Sequence, residues 1–71
     1  MNKDILKGSW KELAGKAKQT WGKFTDDDLT RIAGSYEELS GSIQKAYGYK
    51  KDQADKEIDA FLEQHNKEST T

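Results

Sequence analysis

The apolar residues of this chain recur every three or four positions, which is the period of an α-helix. Plotted on a helical wheel, they fall into three stripes, each on one side of a helix. The first stripe comprises Leu6, Trp10, Leu13, Ala17, Trp21 and Phe24, the second Leu29, Ile32, Tyr36, Leu39, Ile43 and Tyr47, and the third Ala54, Ile58, Phe61 and Leu62. Because proline is absent and no strand-like alternation occurs, the pattern predicts an all-α domain with one small core.

Polar residues and glycines indicate where these helices begin and end. Capping boxes are suggested by Ser9-x-x-Glu12, Thr25-x-x-Asp28 and Ser35-x-x-Glu38, and left-handed helix stops by Gly22 and Gly48. These signals predict helices near 9–21 (or starting earlier, at Asn2), 26–33, 36–47 and 51–65, with a frayed tail over 66–71. The apolar stripe runs through Gly34-Ser35 without losing phase, so 26–47 could also be one bent helix. We favour a break, since glycine costs about 1 kcal/mol inside a helix.

A stretch of the chain occurs twice. The segment from Gly8 to Gly22 returns from Gly34 to Gly48, 26 positions later, with the two tryptophans of the first copy replaced by tyrosines in the second. Each repeat then becomes a long helix, a glycine-closed turn and a second helix. The duplication therefore predicts a small bundle of two crossed α-hairpins, with about four helices, in a single domain over 1–65.

The six glycines all lie at repeat positions and form two triplets with a spacing of seven. Gly15 and Gly41 fall inside predicted helices, where glycine is unfavourable. One interpretation is that they let another backbone approach closely where the hairpins cross. The other is that they are exposed and weaken their helices, which would give a domain that is ordered only under some conditions.

The composition places the chain near the boundary between folded and disordered proteins. Hydrophobic residues make up 32% of the sequence, charged residues 35%, and the mean hydropathy is −1.09. A 71-residue domain buries only about 60% of the surface of its unfolded chain, so we expect marginal stability. There is no cysteine, no secretory signal and no apolar run that could cross a membrane, so we expect a soluble, cytoplasmic monomer.

Charge is distributed unevenly along the chain. Residues 1–23 carry six lysines and two acids, a net +4, whereas residues 24–71 carry six basic and eleven acidic groups, a net −5. The contrast can reflect attraction between helices within the fold, or a surface that binds anions. The candidate anion-binding face comprises Lys3, Lys7, Lys11 and Lys18, on one flank of the first helix. Nucleic acid or an anionic membrane surface is a possible partner of this face, although we favour a solvated face.

Residues that could support catalysis or cofactor binding are few. His65 is the only histidine and is predicted to be solvated at a frayed helix end. Asp26, Asp27 and Asp28 are expected to stabilise the first turn of a helix rather than bind a metal. The glycines do not form a phosphate-binding loop. We therefore predict no catalytic residue, no metal site and no cofactor.

Two motifs connect the chain to a known family. They are Trp-Gly-Lys-x-Thr-Asp-Asp-Asp over 21–28 and Tyr-Gly-Tyr-x-Lys-Asp-Gln-Ala over 47–54. With Trp10, Gly15, Gly34 and Leu39-x-Gly41, they resemble the CsbD-like family of small bacterial general-stress proteins. The resemblance extends from Trp10 to about Phe61. It implies a bundle of crossed α-hairpins and a cytoplasmic stress-response protein with no established enzymatic activity, so we expect a hydrophilic protectant or a small interaction module.

Overall fold

The structure is a computed structural model that describes residues 2–69, with side chains over 4–65. Within that range the regular structure is entirely helical. The elements are α1 (Asn2–Gly8), α2 (Trp10–Thr20), α3 (Asp26–Ile32), α4 (Tyr36–Tyr47) and α5 (Lys51–Ser69). Only Ser9 separates α1 from α2, so these two helices form one interrupted segment and the described chain has the four predicted segments. The prediction of an all-α domain is confirmed.

The three apolar stripes meet in one core, as the helical period predicts. Over residues 4–65, whose side chains are described, thirteen apolar side chains are buried: Leu6, Leu13, Ala17, Trp21, Phe24, Leu29, Ile32, Leu39, Ile43, Ala54, Ile58, Phe61 and Leu62. The remaining stripe residues, Trp10, Tyr36 and Tyr47, are partly buried against this cluster. The radius of gyration is 11.1 Å. This agrees with the value of about 11 Å expected for a folded globular chain of this length.

The helix that leads into the first repeat, α1, supplies most of the contacts with the second repeat and with α5. Helix α4 packs against both α3 and α5, and α1 contacts α4 and α5. At the end of α2 the Trp21 ring lies 4.9 Å from the Phe61 ring of α5, measured between centroids. The core therefore joins both hairpins and does not consist of two separate hairpin interiors.

Two of the three predicted helix starts have the expected caps. Thr25 forms a complete capping box, in which its hydroxyl accepts from the Asp28 N–H at 3.1 Å and the Asp28 carboxylate accepts from the Thr25 N–H at 2.9 Å. The Ser35 hydroxyl accepts from the Glu38 N–H at 3.3 Å. The predicted cap at Ser9 is wrong, since its side chain makes no capping bond. The helical hydrogen bonds continue through Ser9, whose N–H donates to the Ile5 carbonyl, so no helix starts afresh there.

The helix ends are less well predicted than the starts. Gly48 adopts a left-handed conformation at φ 71° and closes α4, as expected. Gly22 is not left-handed; α2 ends at Thr20, its cap residue Trp21 has φ −117° and ψ 81°, and the Phe24 N–H donates to the Trp21 carbonyl. The turn therefore brings the rings of Trp21 and Phe24 onto the core without a left-handed residue. The centroids of the two rings are 5.8 Å apart.

The last helix is longer than the sequence predicts. Helix α5 continues to Ser69, four residues past the predicted end near 65. The end of the proposed tail, at 70–71, lies outside the described residues. The division into a domain over 1–65 and a frayed tail over 66–71 stays a prediction.

A left-handed turn separates α3 from α4, which decides between one bent helix and two. Ala33 has φ 48° and Gly34 has φ 86°, and the Ser35 N–H donates to the Ile32 carbonyl at 2.8 Å. Glycine adopts such angles without steric cost, whereas alanine does so rarely. The predicted break is confirmed, and Ala33 is an additional left-handed residue that the sequence did not indicate.

The close approach of another backbone occurs at Gly34 and not at the helix-interior glycines. A Cβ atom on Gly34 would lie 2.9 Å from Lys7 Cα and 3.0 Å from Trp10 Cβ. The Trp10 indole N–H donates to the Leu29 carbonyl at 3.2 Å. This hydrogen bond also holds the start of α2 against α3. Gly15 and Gly41 are exposed, and a Cβ on either would meet nothing within 4 Å. The first interpretation of these two glycines is therefore wrong.

Candidate functional site

The predicted lysine face lies on the outside of α1 and α2. Lys7, Lys11 and Lys18 are exposed, and Lys3 lies outside the part of the chain whose side chains are described. Lys18 Nζ is 2.7 Å from Asp26 Oδ1, with the two side chains 51% and 84% exposed. Such an exposed pair contributes little to stability, but it partly offsets the charge of Lys18. The role of the face in anion binding stays a prediction.

His65 is buried, which corrects the prediction of a solvated side chain. It is only 8% exposed and lies within α5, because that helix extends beyond it. Its position four residues after Phe61 places it on the core side of the helix, so the stripe spacing could have indicated its burial. With Lys16, Gln19, Thr20, Phe61 and Gln64 it lines an open cleft of about 350 Å³ between α2 and α5. Among the described residues, no three His, Cys, Asp or Glu side chains gather in an arrangement that could hold a metal ion.

The three consecutive aspartates occupy the first turn of α3, as predicted. Asp28 accepts hydrogen bonds from Thr25, and these bonds and nearby Arg31 lower the pKa of the Asp28 carboxyl below its usual value. Arg31 in turn lies 3.4 Å from Asp28 Oδ1. Asp26 contacts Lys18. These contacts account for Asp26 by local ion pairing and for Asp28 by helix capping and ion pairing.

A polar network joins α4 to α5. The Tyr36 hydroxyl lies 3.2 Å from the Asp55 carbonyl oxygen and 3.0 Å from Asp59 Oδ1. Ser40 donates to Asp55 Oδ1 at 2.7 Å, and Lys51 Nζ lies 2.7 Å from the other carboxylate oxygen of Asp55. Burial, followed by the hydrogen bond to Asp59, raises the pKa of Tyr36 to about 12. The hydroxyl is therefore protonated at neutral pH, and it acts as a donor that links the two helices.

The sequence did not indicate a cluster that we call the tyrosine stack, formed by Lys23, Tyr47 and Tyr49. The Tyr47 and Tyr49 rings are stacked, with centroids 5.7 Å apart and planes 19° from parallel. Lys23 Nζ lies 5.0 Å from the centroid of the Tyr47 ring, within cation–π distance. The Lys23 backbone N–H also donates to the Tyr47 hydroxyl at 3.3 Å.

The tyrosine stack is the place where the ends of the two repeats meet. Lys23 and Tyr49 are equivalent positions, 26 residues apart, and both rest on Tyr47. Trp21, the equivalent of Tyr47, is buried in the core, whereas Tyr47 is only half buried. The stack also joins the two sequence motifs on which the family resemblance was based. No local sequence signal could have located it, since its members lie at two separate turns.

Fold and surface together define a small helical protein with a duplicated hairpin unit and a strongly charged exterior. The family model described as CsbD-like matches residues 4–56, which is most of the chain. The protein belongs to the CsbD-like family. None of the described helices is long and apolar enough to cross a lipid bilayer.

Bacterial relatives cover nearly the whole chain. The UPF0337 protein YjbJ of Escherichia coli O6:H1 is 53% identical over 66 residues, which is 93% of this chain and 96% of the relative. A UPF0337 protein of Pectobacterium atrosepticum is 52% identical over 65 residues, with 92% and 94% covered. YjbJ of Escherichia coli K12 is 57% identical over 58 residues, with 82% and 84% covered. Similarity therefore extends beyond the two motifs.

Proposed function

We propose that this protein is a non-enzymatic, monomeric stress-response protein of the bacterial cytoplasm that acts as a hydrophilic protectant. Its helices would gain order as water becomes scarce. The observation that carries the proposal is the exposure of Gly15 and Gly41, each inside a helix and each with nothing within 4 Å of its missing Cβ. The family resemblance supports the link to general stress.

The two exposed glycines lower helix stability without any packing benefit. Each costs about 1 kcal/mol relative to alanine, which gives about 2 kcal/mol for the pair. A domain of this length is expected to have a total stability of only about 4–11 kcal/mol. In dilute solution the helices α2 and α4 are therefore less stable than they would be with alanine at these two positions.

Loss of water should instead increase the stability of these helices. Excluded solutes favour compact states, and a backbone that loses water must form its hydrogen bonds internally. The buried apolar cluster keeps the chain near its folded topology, so tightening α2 and α4 requires no rearrangement. A surface with many charged side chains would then hold water and ions around neighbouring macromolecules as the cell dries.

The experiment follows helicity by far-UV circular dichroism during controlled drying and in excluded osmolytes. We expect the wild type to gain helicity. The double variant Gly15→Ala/Gly41→Ala should start with higher helicity and gain less. Gly22→Ala is the matched control, since Gly22 is exposed, has the same open surroundings and lies outside the helices.

A protection assay connects this change to function. A labile indicator enzyme is dried with the wild type, with the double variant or with an unrelated folded protein. The enzyme activity recovered after drying is then compared among the three samples. We expect better recovery with the wild type than with an equal mass of an unrelated folded protein. Helicity that does not change on drying, together with no advantage in recovery, would contradict the proposal.

The lysine face supports a second candidate function, binding of nucleic acid or an anionic surface. Its favourable feature is the exposure of Lys7 and Lys11 on adjoining helices. Titration with duplex DNA, RNA and anionic vesicles at low salt, monitored by NMR, would reveal binding as amide shifts in residues 3–23. Lys7→Gln/Lys11→Gln should abolish the shifts over residues 3–21, whereas Lys56→Gln on α5 should not. The absence of any shift in residues 3–23 would exclude this function.

A further inference from the structure

We propose that the tyrosine stack binds single-stranded nucleic acid, with a base stacking on Tyr49 and phosphates held by Lys23 and Lys50. This surface lies at the ends of the two repeats and is separate from the lysine face. The inference does not depend on the protectant role. It rests on ring geometry, exposure and charge at the turn between α4 and α5.

Tyr49 differs from the other aromatic residues in the described part of the chain because it alone is exposed, at 37%. A single exposed aromatic residue is ordinarily unremarkable on a protein surface. Here, however, the Tyr49 ring is already stacked on Tyr47, 5.7 Å away and 19° from parallel. A planar group added to Tyr49 would extend an existing stack.

The backbone holds the two rings in this arrangement. Gly48, between the two tyrosines, is left-handed at φ 71°, so the chain turns sharply after Tyr47. Tyr47 is fixed in turn by the hydrogen bond from the Lys23 N–H to its hydroxyl. The rings are therefore positioned before any ligand arrives, which reduces the conformational entropy that binding must overcome.

Positive charge accompanies the exposed ring. Lys23 Nζ lies over the Tyr47 ring and 3.4 Å from the Ala46 carbonyl oxygen. Lys50 follows Tyr49 directly and is exposed. Lysines beside an aromatic platform suit a ligand that alternates planar rings with phosphates.

Single-stranded nucleic acid fits this chemistry better than a duplex does. Bases in a duplex are stacked on one another and present only their edges, so they cannot cover a tyrosine face. Bases in a single strand have free faces, and aromatic side chains stack on them with little sequence preference. A plain phosphate polymer would satisfy the lysines but leave Tyr49 uncovered.

The test is an NMR titration of the isotope-labelled full chain with a single-stranded oligothymidylate of about ten nucleotides. A duplex of the same length and inorganic polyphosphate serve as comparison ligands. We expect the single strand to shift the amides of residues 22–23 and 47–50, and the duplex and polyphosphate to shift them far less. Equal shifts with polyphosphate, or none with the single strand, would overturn the proposal.

Variants separate stacking from charge. Tyr49→Leu keeps an apolar contact with Tyr47 but removes the planar face, and should weaken binding about tenfold or more. Tyr49→Trp should bind at least as well as the wild type. Lys50→Gln should reduce both the affinity and its salt dependence, with Lys56→Gln as the charge-matched control. Circular dichroism checks that each variant folds. Wild-type affinity in folded Tyr49→Leu would also overturn the proposal.

Discussion

Replacing Gly34 with alanine tests how the first repeat packs on the second. Gly34 lies in the left-handed turn between α3 and α4, directly beneath the junction of α1 and α2. Its added Cβ would lie 2.9 Å from Lys7 Cα, 3.0 Å from Trp10 Cβ and 3.3 Å from the Leu6 carbonyl oxygen. Two of these three atoms belong to the backbone, so rotation of a side chain cannot relieve the contact.

The expected destabilisation has two parts. A residue with a Cβ costs about 1–2 kcal/mol in a left-handed conformation, and Gly34 has φ +86°. Overpacking that forces a backbone shift adds about 1–3 kcal/mol. We therefore expect Gly34→Ala to lower the free energy of unfolding by about 2–5 kcal/mol, a large part of the stability of so small a domain.

Urea denaturation followed by far-UV circular dichroism measures this loss, and two other glycines provide controls. Gly48 is also left-handed, at φ +71°, but a Cβ there would meet nothing within 4 Å. Gly48→Ala should show the conformational cost alone, and the further loss in Gly34→Ala measures the contact with α1. Gly15→Ala, at an open helical position, should raise stability by up to about 1 kcal/mol. If Gly34→Ala and Gly48→Ala proved equally stable, the proposed packing of α1 on this turn would be refuted.

Three further predictions concern single groups. Tyr36 ionises at about pH 12 in the folded protein against an ordinary pKa of 10.0, so its stabilising contribution should be fully present below pH 10 and be lost as the pH rises through 12. Tyrosinate absorbance should show one late-titrating tyrosine that is missing in Tyr36→Phe. The lowered pKa of Asp28 predicts a contribution that is present above its ordinary value of 3.8 and is lost as the pH falls through the folded value. Acid denaturation of Asp28→Asn should lack this component. Ala33→Gly, at φ 48°, should raise the urea midpoint by relieving left-handed strain of about 1 kcal/mol, and an unchanged midpoint would contradict that strain.

The core could be predicted from the sequence because its signal is local and repeated. Each stripe has several apolar residues at helical spacing, and burial of any one of them requires burial of its neighbours on the same face. The Thr25 cap was equally predictable, since both partners lie within four residues of each other. These features depend on the chain only over one or two helical turns.

The wrong predictions concern residues whose conformation or burial depends on a neighbouring element of the fold. Ser9 has the sequence of a cap, but its own N–H bonds to Ile5 of the preceding helix, and the Glu12 N–H bonds to the Ser9 carbonyl. Gly22 has the sequence of a helix stop, but packing of Trp21 on Phe61 ends the helix one residue earlier. His65 is buried because residues of α2 lie beside it, although its side of α5 could be read from the stripe spacing.

The tyrosine stack could not be predicted from local sequence for a similar reason. Lys23 lies in the turn between α2 and α3, 24 residues before Tyr47 at the end of α4, and no helical periodicity brings them together. The lysine face, in contrast, is visible in the sequence because its members share one helical flank. A surface formed by one helix can therefore be predicted from the sequence more readily than a surface formed where two repeats meet.

The Gly-Ser dipeptide at the start of each repeat shows how far a duplicated sequence can diverge in structure. Gly8 lies at the end of α1 with open space around its missing Cβ, and Ser9 continues the helical hydrogen bonds. Gly34, in the second copy, is left-handed and buried, and Ser35 begins a new helix. The difference follows from the packing, since α1 lies against the backbone of Gly34, whereas nothing in the described part of the chain lies within 4 Å of a Cβ placed on Gly8. If the chain at Gly34 had the same conformation as at Gly8, α1 would lose its packing surface on the turn between α3 and α4. The structural difference between the two copies therefore allows one repeat to pack on the other.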